Sequence, residues 1–457
     1  MNTKNRTVDM CNGPLTGKII WFTIPIILSG VLQLFFNAVD MIVVGRFSGN
    51  TALAAVGSTG SITNLLVNLF MGFSIGSGIT ISHEIGANRL NRINKIVSTS
   101  VLLAIISGAI VAVIGLVFAP ALLRLMDSPE DIIDKSALYL RIIFLGMPVN
   151  MVYNFGASML RATGDTKKPL YYLLAGGVIN VILNLVFVIV FDMDVAGVAI
   201  ATIISQAISA ALVVLDMVKG NEYFKLNITE MHIHKPYLYK IIRIGLPSGV
   251  QGSLFSISNV LIQSSINSFG SVAVAGNSAA ASIEGFVYVM MNSFSQAAIT
   301  FAGQNMGAKK YNRITRSLIV CISLVTVCGL ALGGAVVHFA VPLLRIYCPT
   351  DPGAINYGIE RLEIIVLYYF LCGIMESLAG TLRGMGYSFT SMVISLFGAC
   401  FLRIVWIYTI FAQMRMLSCL YISYPVSWTA VIVADVIVYS VIIRKLKRKE
   451  ALKKTAC

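Results

Sequence analysis

Asp40 closes a polar stripe, Gln33, Asn37 and Asp40, whose four- and three-residue spacing puts all three side chains on one face of a helix. The flanking residues 18–44 are otherwise apolar enough to span a bilayer, so this face points away from lipid. An ionised carboxylate at the bilayer centre costs at least about 2.5 kcal/mol and is relieved by water, a proton or a cation. The chemistry open to Asp40 is therefore reversible uptake of H⁺ or Na⁺. It lies about six residues, or roughly 9 Å, inside the outer end of its helix. Asn180 and Asn184, one turn apart in the run 169–191, and Asn150, Asn154 and Ser158 in the run 133–159, beside Tyr153, mark further polar faces that cannot point at lipid and should line a cavity. The competing use of such amides is interhelical glue, at about 0.6 kcal/mol each.

A second constellation lies in the run 273–300, where Glu284, Tyr288, Asn292 and the pair Ser295 and Gln296 follow helical spacing. Glu284 is about ten residues, or roughly 15 Å, from the outer end. Glu376 and Asp435 are further carboxylates within apolar runs, and Arg403 is the deep cation expected to pair with Glu284 or Glu376. Glu284, Tyr288, Asn292 and Glu376 thus join Gln33, Tyr153 and Asn154 as candidate cavity residues. Asp40, Asn37, Asn180 and Asn184 are the candidates for cation coupling.

Placing these residues requires an all-α membrane fold. The 457 residues are 57% hydrophobic and 12% charged, with a mean hydropathy of +0.83, leaving too little polar surface to cover a soluble globule. Twelve runs long enough to span are found near 18–44, 52–80, 93–118, 133–159, 169–191, 196–218, 239–268, 273–300, 317–340, 356–381, 389–412 and 419–443. They do not alternate with period two, which excludes a β-barrel.

The chain is also written twice. Ile24-Pro25 returns as Leu246-Pro247, Gly86-Ala87-Asn88-Arg89 as Gly307-Ala308-Lys309-Lys310, and Leu160-Arg161-Ala162-Thr163-Gly164 as Leu382-Arg383-Gly384-Met385-Gly386. Offsets of 221 or 222 residues mean duplicated halves. Six spans per half keep both halves in one orientation, so the pseudo-twofold runs along the membrane normal, as in many secondary transporters. The expected division is residues 1–218 for the first lobe, 219–238 for a linker, 239–443 for the second lobe and 444–457 for a basic tail. Asp40 falls on Ile262 and Glu284 on Thr63, so the two halves have different jobs.

Lysine and arginine set the orientation. Lys4, Arg6, Arg89, Arg92, Lys167, Lys168, Lys309, Lys310, Arg313 and the tail from Arg444 onward fall on one side, opposite Asp127, Glu130, Asp131, Asp134, Asp192 and Asp194. The positive-inside rule makes both termini cytoplasmic, and a multi-pass protein of a bacterial inner membrane is expected, as a monomer. The net charge of +14 sits in short loops, which argues against nucleic acid as a partner. No cleavable signal peptide is expected. Eight cysteines without Cys-x-x-Cys spacing, and His232 and His234 in the linker, write no metal site beyond a transient Na⁺ at Asp40. No phosphate-binding loop is present, so no nucleotide cofactor is expected, the chain is not read as an enzyme, and an ion gradient is the energy source.

Ile24-Pro25, Asn37-Ala38-Val39-Asp40 with Val44-Gly45, the Gly86-Ala87-Asn88 and Gly303-Gln304-Asn305-Met306-Gly307-Ala308 turns and Leu160-Arg161-Ala162-Thr163-Gly164-Asp165 together resemble the multidrug and toxic compound extrusion family over essentially the whole chain. The resemblance implies a V-shaped pair of six-helix bundles that exports bulky, often cationic, organic compounds in exchange for H⁺ or Na⁺. It also implies that Asp40 couples the cation, with Asn180 and Asn184 in its network. Glu284 is similar to the DinF-type and MepA-like branch, while Phe255 stands where the NorM branch has a glutamate. A lipid-linked oligosaccharide flippase of the same superfamily is the alternative, distinguished by fourteen helices and a basic cavity.

Overall fold

The structure is a computed structural model that describes residues 8–125, 130–220, 223–349 and 351–455. Lys4, Arg6, Asp127 and Cys457 lie outside the described residues, as do the side chains of Glu130, Asp131, Lys453 and Lys454, and the linker and tail ranges are described only in part. Helices are the only regular structure among the described residues. The first half holds α1 (Leu15–Val43), α2 (Gly49–Gly86), α3 (Ile93–Leu125), α4 (Glu130–Leu145), α5 (Met147–Ala162), α6 (Lys167–Leu185) and α7 (Asp194–Lys219). The second holds α8 (Lys235–Asn267), α9 (Ser271–Gly307), α10 (Tyr311–His338), α11 (Ala340–Tyr347), α12 (Pro352–Arg361), α13 (Tyr369–Gly384), α14 (Ser388–Ser395), α15 (Leu402–Trp406) and α16 (Leu417–Thr455).

Each of the twelve apolar runs falls on these helices. The run 133–159 is divided between α4 and α5 at Gly146, and 356–381 between α12 and α13 around a π-turn at Leu362–Val366. Among the described residues nine helices are long and apolar enough to cross a membrane alone, or ten if the bent α12–α13 pair is one span. The remaining two runs fall short for visible reasons: α4 and α5 have 16 residues each, and α8 carries Lys235, Lys240, Arg243 and several amides and hydroxyls.

The duplication is structural as well as sequential. Asn88 and Lys309 share a left-handed φ of 55° and 57°, Gly49 and Gly270 share 86° and 90°, and Gly164 and Gly386 share 92° and 90°. The equivalent turns therefore have the same backbone in both halves.

Packing gathers the chain into two compact units with other boundaries than the repeat. One holds Val8 and Ile24–Ser253, the other Asp9–Thr23 and the residues from Leu254 on. In the first, α2 meets the start of α8 through Gly72 and Gly76 against Gly245 and Gly249, two pairs at four-residue spacing. Small residues at this spacing let helix backbones touch where no hydrophobic force separates helix from lipid. A Cβ on Gly249 would lie 2.0 Å from the Leu69 carbonyl oxygen, and one on Gly72 would lie 2.3 Å from that of Gly245. Both obstacles are backbone, which cannot rotate aside.

Gly249→Ala should therefore destabilise the protein by about 1–3 kcal/mol, whereas Gly60→Ala, with open space around it, should be neutral. Thermal unfolding of the two purified variants checks this.

Candidate functional site

In the first unit α6 carries adjacent glycines that bring two neighbours close. Phe36 of α1 lies over Gly177, whose Cβ would overlap its ring, and Ser205 and Ser209 of α7 lie against Gly176. This close approach delivers Asp40 to α6. Asn184 donates through Nδ2 to Oδ1 of Asp40 and, at 3.3 Å, to Oδ1 of Asn180. Asn180 donates in turn to Thr202 of α7 at 3.4 Å, and Thr202 donates to the Val198 carbonyl at 2.9 Å. Asn180 and Asn184 are buried and Asp40 is half-buried. Asn184 Oδ1 is buried without a donor among the described residues.

Charge sets Asp40 apart from the ion-paired acids of its unit. In the same unit Glu84, Asp165, Asp194 and Asp216 each have a lysine or arginine within 4.0 Å. No basic side chain among the described residues forms such a pair with Asp40. Asp165, in the turn before α6, accepts from the Lys167 and Lys168 backbone N–H groups at 3.2 Å each. Burial nevertheless holds its carboxyl above the ordinary range, against the pull of those bonds and of the Lys168 charge.

The rest of the expected first-half constellation is dispersed. Gln33 and Asn37 are exposed, and among the described residues no hydrogen bond joins either to Asp40. Asn154 turns back along its own helix to the carbonyl and Oδ1 of Asn150, both at 2.9 Å, and Tyr153 donates to the Pro169 carbonyl at 3.2 Å. Ser158 donates to the Ser74 carbonyl while Ser74 donates to that of Asn154, tying α2 to α5. Two residues near Asp40 had no sequence signal. Thr202 is one of many hydroxyls in apolar helices, and Tyr139 of α4, packed in the region of Val39 and Met41, lies within electrostatic reach of Asp40.

The second unit corrects the expected ion pairs. Glu284 is held not by Arg403 but by Arg361, whose Nε and Nη2 donate to the two carboxylate oxygens at 2.7 Å each. Arg361 Nη1 donates to Asn277 Oδ1 at 2.6 Å, and Asn277 donates to Gln263 at 3.0 Å. Tyr421 and Tyr424 lie 5.6 and 6.0 Å from the guanidinium. Glu376 takes Arg383, at 3.1 Å, instead of Arg403. Arg403 donates to Ser427 at 2.9 Å and lies 4.2 Å from the Tyr424 ring centre. Arg403 is thus not the single deep cation: three buried guanidiniums stand with three buried carboxylates, Glu284, Glu376 and Asp435. Asp435 is fully buried and neither oxygen has a hydrogen-bond partner among the described residues. Tyr288 is 43% exposed but within electrostatic reach of Glu376, and Asn292 is half-buried on the same helix.

The units share a scaffold and differ in charge. Ser295 donates to the Glu376 carbonyl at 2.9 Å, the counterpart of the 3.0 Å bond from Ser74 to the Asn154 carbonyl. At these equivalent positions the first unit has an amide and the second an acid.

Two repeated all-helical units, one of them with the half-buried Asp40 that has no basic partner among the described residues, are the arrangement of a secondary transporter of the duplicated-bundle class. The sequence model of the MatE family matches residues 25–186 and again 247–409. The chain belongs to this family, the multidrug and toxic compound extrusion transporters. It is 31% identical over 384 residues to the probable multidrug resistance protein YoeA of Bacillus subtilis, covering 82% of each chain. It is 22% identical over 398 residues to the multidrug export protein MepA of Staphylococcus aureus, covering 86% of this chain and 87% of that one. Its fold matches an outward-facing multidrug resistance MATE transporter with a TM-score of 0.88 at 21% identity, over 97% and 99% of the chains. A MOP-superfamily transporter from Pyrococcus furiosus, described as having a binding pocket of reversed polarity, matches with a TM-score of 0.89 at 21% identity over the same shares.

Removing one member of a buried ion pair strands the other. Arg361→Met should cost about 3–5 kcal/mol, and Glu284→Leu with Arg361→Met should recover most of it. A double-mutant cycle in thermal unfolding reads the difference.

Proposed function

We propose that this transporter exports bulky organic cations in exchange for H⁺ or Na⁺, and that Asp40 carries the coupling ion. The observation that carries the reading is the missing counter-ion. Glu84, Asp165, Asp194 and Asp216 of this unit have a fixed base beside them, whereas among the described residues Asp40 has one amide donor and is partly exposed. Asp435 also has no base within salt-bridge distance among the described residues, but it is fully buried, whereas Asp40 is partly exposed.

The donor set suits either ion. Asp40 offers carboxylate oxygens, and Asn184 Oδ1 is a buried acceptor without a donor among the described residues. Proton uptake turns one carboxyl oxygen from acceptor to donor. The new O–H can be given to Asn184 Oδ1, while the amide Nδ2 loses its strongest acceptor and relaxes toward Asn180. Sodium would instead be held by the same oxygens directly. Either event removes a negative charge from the first-half interior and changes how α1 seats on α6 at Phe36 and Gly177. A cationic substrate favours the charged form and the coupling ion the neutral form, which is the opposed bias an antiporter requires.

The preference for cations rests on Asp40 alone, because Arg361 and Arg383 neutralise Glu284 and Glu376. The positive-inside rule supports an orientation in which the basic turns with Arg89, Lys168 and Lys310 face the cytoplasm across a bacterial inner membrane.

Efflux of a fluorescent organic cation from everted vesicles, under separate pH and Na⁺ gradients, tests the assignment. Asp40→Asn should lose gradient-driven efflux by about tenfold or more. Full coupled efflux in that variant would refute the role of Asp40.

A further inference from the structure

The two halves treat their basic turns differently. In the first unit one buried carboxylate, Glu84, gathers Lys240 at 3.4 Å, Arg89 at 3.9 Å and Arg92 at 4.0 Å. The repeat offsets of 221 and 222 residues map these four onto Asn305, Lys18, Lys310 and Arg313 of the second unit. All three cations survive there, but the acid has become an amide. Asn88 of the first turn is matched by Lys309, so the second turn has lost a negative charge and gained a positive one.

Backbone has taken the acid's place only in part. Arg313 donates to the Met10 carbonyl at 2.9 Å and to that of Asn12 at 2.7 Å, and Lys310 donates to the Cys11 carbonyl at 2.9 Å. Lys18 donates to the Asp9 carbonyl at 2.6 Å and the Asn12 carbonyl at 2.8 Å. Carbonyl dipoles satisfy the donors without cancelling the charge, and the carboxylate of this segment, Asp9, lies within electrostatic reach of Lys18 but does not line the adjoining cavity. Beside this segment lies a cavity of about 750 Å³ whose wall carries Lys309, Lys310, Arg313, Arg316 and Lys447 against one acid, Glu450. Among the described residues no acid forms a salt bridge with Lys309, Arg316 or Lys447. Asn305 Oδ1, at the repeat position equivalent to Glu84, is buried without a donor among the described residues.

We propose that this cavity binds a phosphate group, which supplies the negative charge that Glu84 supplies in the first unit. Five cations from α10, its preceding turn and α16 surround a space large enough for a phosphoryl headgroup, with rotatable ammonium and guanidinium donors suited to its oxygens. The site joins the segment Cys11–Leu15, which leads into α1, to the start of α10 and the far end of α16. Its position in the basic turn favours an anionic phospholipid of the adjoining leaflet over soluble phosphate.

The test counts phosphatidylglycerol retained by the purified full-length protein in native mass spectrometry, against phosphatidylcholine, with inorganic phosphate titrated as competitor. The wild type should prefer phosphatidylglycerol, and Lys309→Gln with Arg316→Gln and Lys447→Gln should weaken that binding by about tenfold or more. Lys309, Arg316 and Lys447 are exposed, so unchanged thermal unfolding of the triple variant verifies the fold independently. Displacement by millimolar inorganic phosphate would identify a soluble ligand, and its failure to displace would identify the lipid. Undiminished phosphatidylglycerol and phosphate binding in the triple variant, or no binding of either by the wild type, would overturn the proposal.

Discussion

The cost of leaving a charge uncompensated in a low-dielectric interior organises this protein. That cost explains why Glu284 receives a two-pronged arginine and Glu376 a second one. It also sorts the acids by task. A carboxylate with a fixed base is already neutralised and has little to gain from a mobile cation, whereas one held by an amide has its electrostatic demand unmet. Asp40 is of the second kind, and its partial exposure makes the demand answerable from outside.

Duplication supplies the frame in which such differences can be read. The two halves repeat the same left-handed turns and the same serine-to-carbonyl bond between long helices, so differences at equivalent positions are changes of charge on one scaffold. Asp40 for Ile262, Asn154 for Glu376 and Glu84 for Asn305 all alter what the local environment must neutralise. The first half leaves Asp40 without a base among the described residues, and the second closes Glu284 and Glu376 with arginines while Asp435 stays buried without one. An ion-coupled cycle needs such an asymmetry, because two identically open sites would give the ion no preferred lobe.

Much of this was legible in the sequence because membrane folds declare themselves by long apolar runs and rare interior polar residues. The spans, the repeat and the group of Asp40, Asn180 and Asn184 could be read directly. Partner choice could not. Arg361 is 77 residues from Glu284, and nothing in the spacing says that α12 carries it to the same depth on α9. Arg403 looked like the partner because it is the conspicuous cation in the middle of an apolar run, whereas Arg361 lies near the start of its own. Helical periodicity put Gln33, Asn37 and Asp40 on one side of α1, but a shared side spans a broad arc, and only its Asp40 end meets α6. Thr202 and Tyr139 gave no signal since hydroxyls and aromatics are common in apolar helices, and only contact distinguishes a participant from a bystander.

The measurement that reaches the central claim most directly is the affinity of the purified protein for tetraphenylphosphonium as pH and Na⁺ concentration are varied, in wild type and Asp40→Asn. The account predicts that H⁺ or Na⁺ competes with the organic cation in the wild type and that the competition disappears in the variant. Competition of equal strength in both proteins would contradict it, because the ion would then be taken up elsewhere.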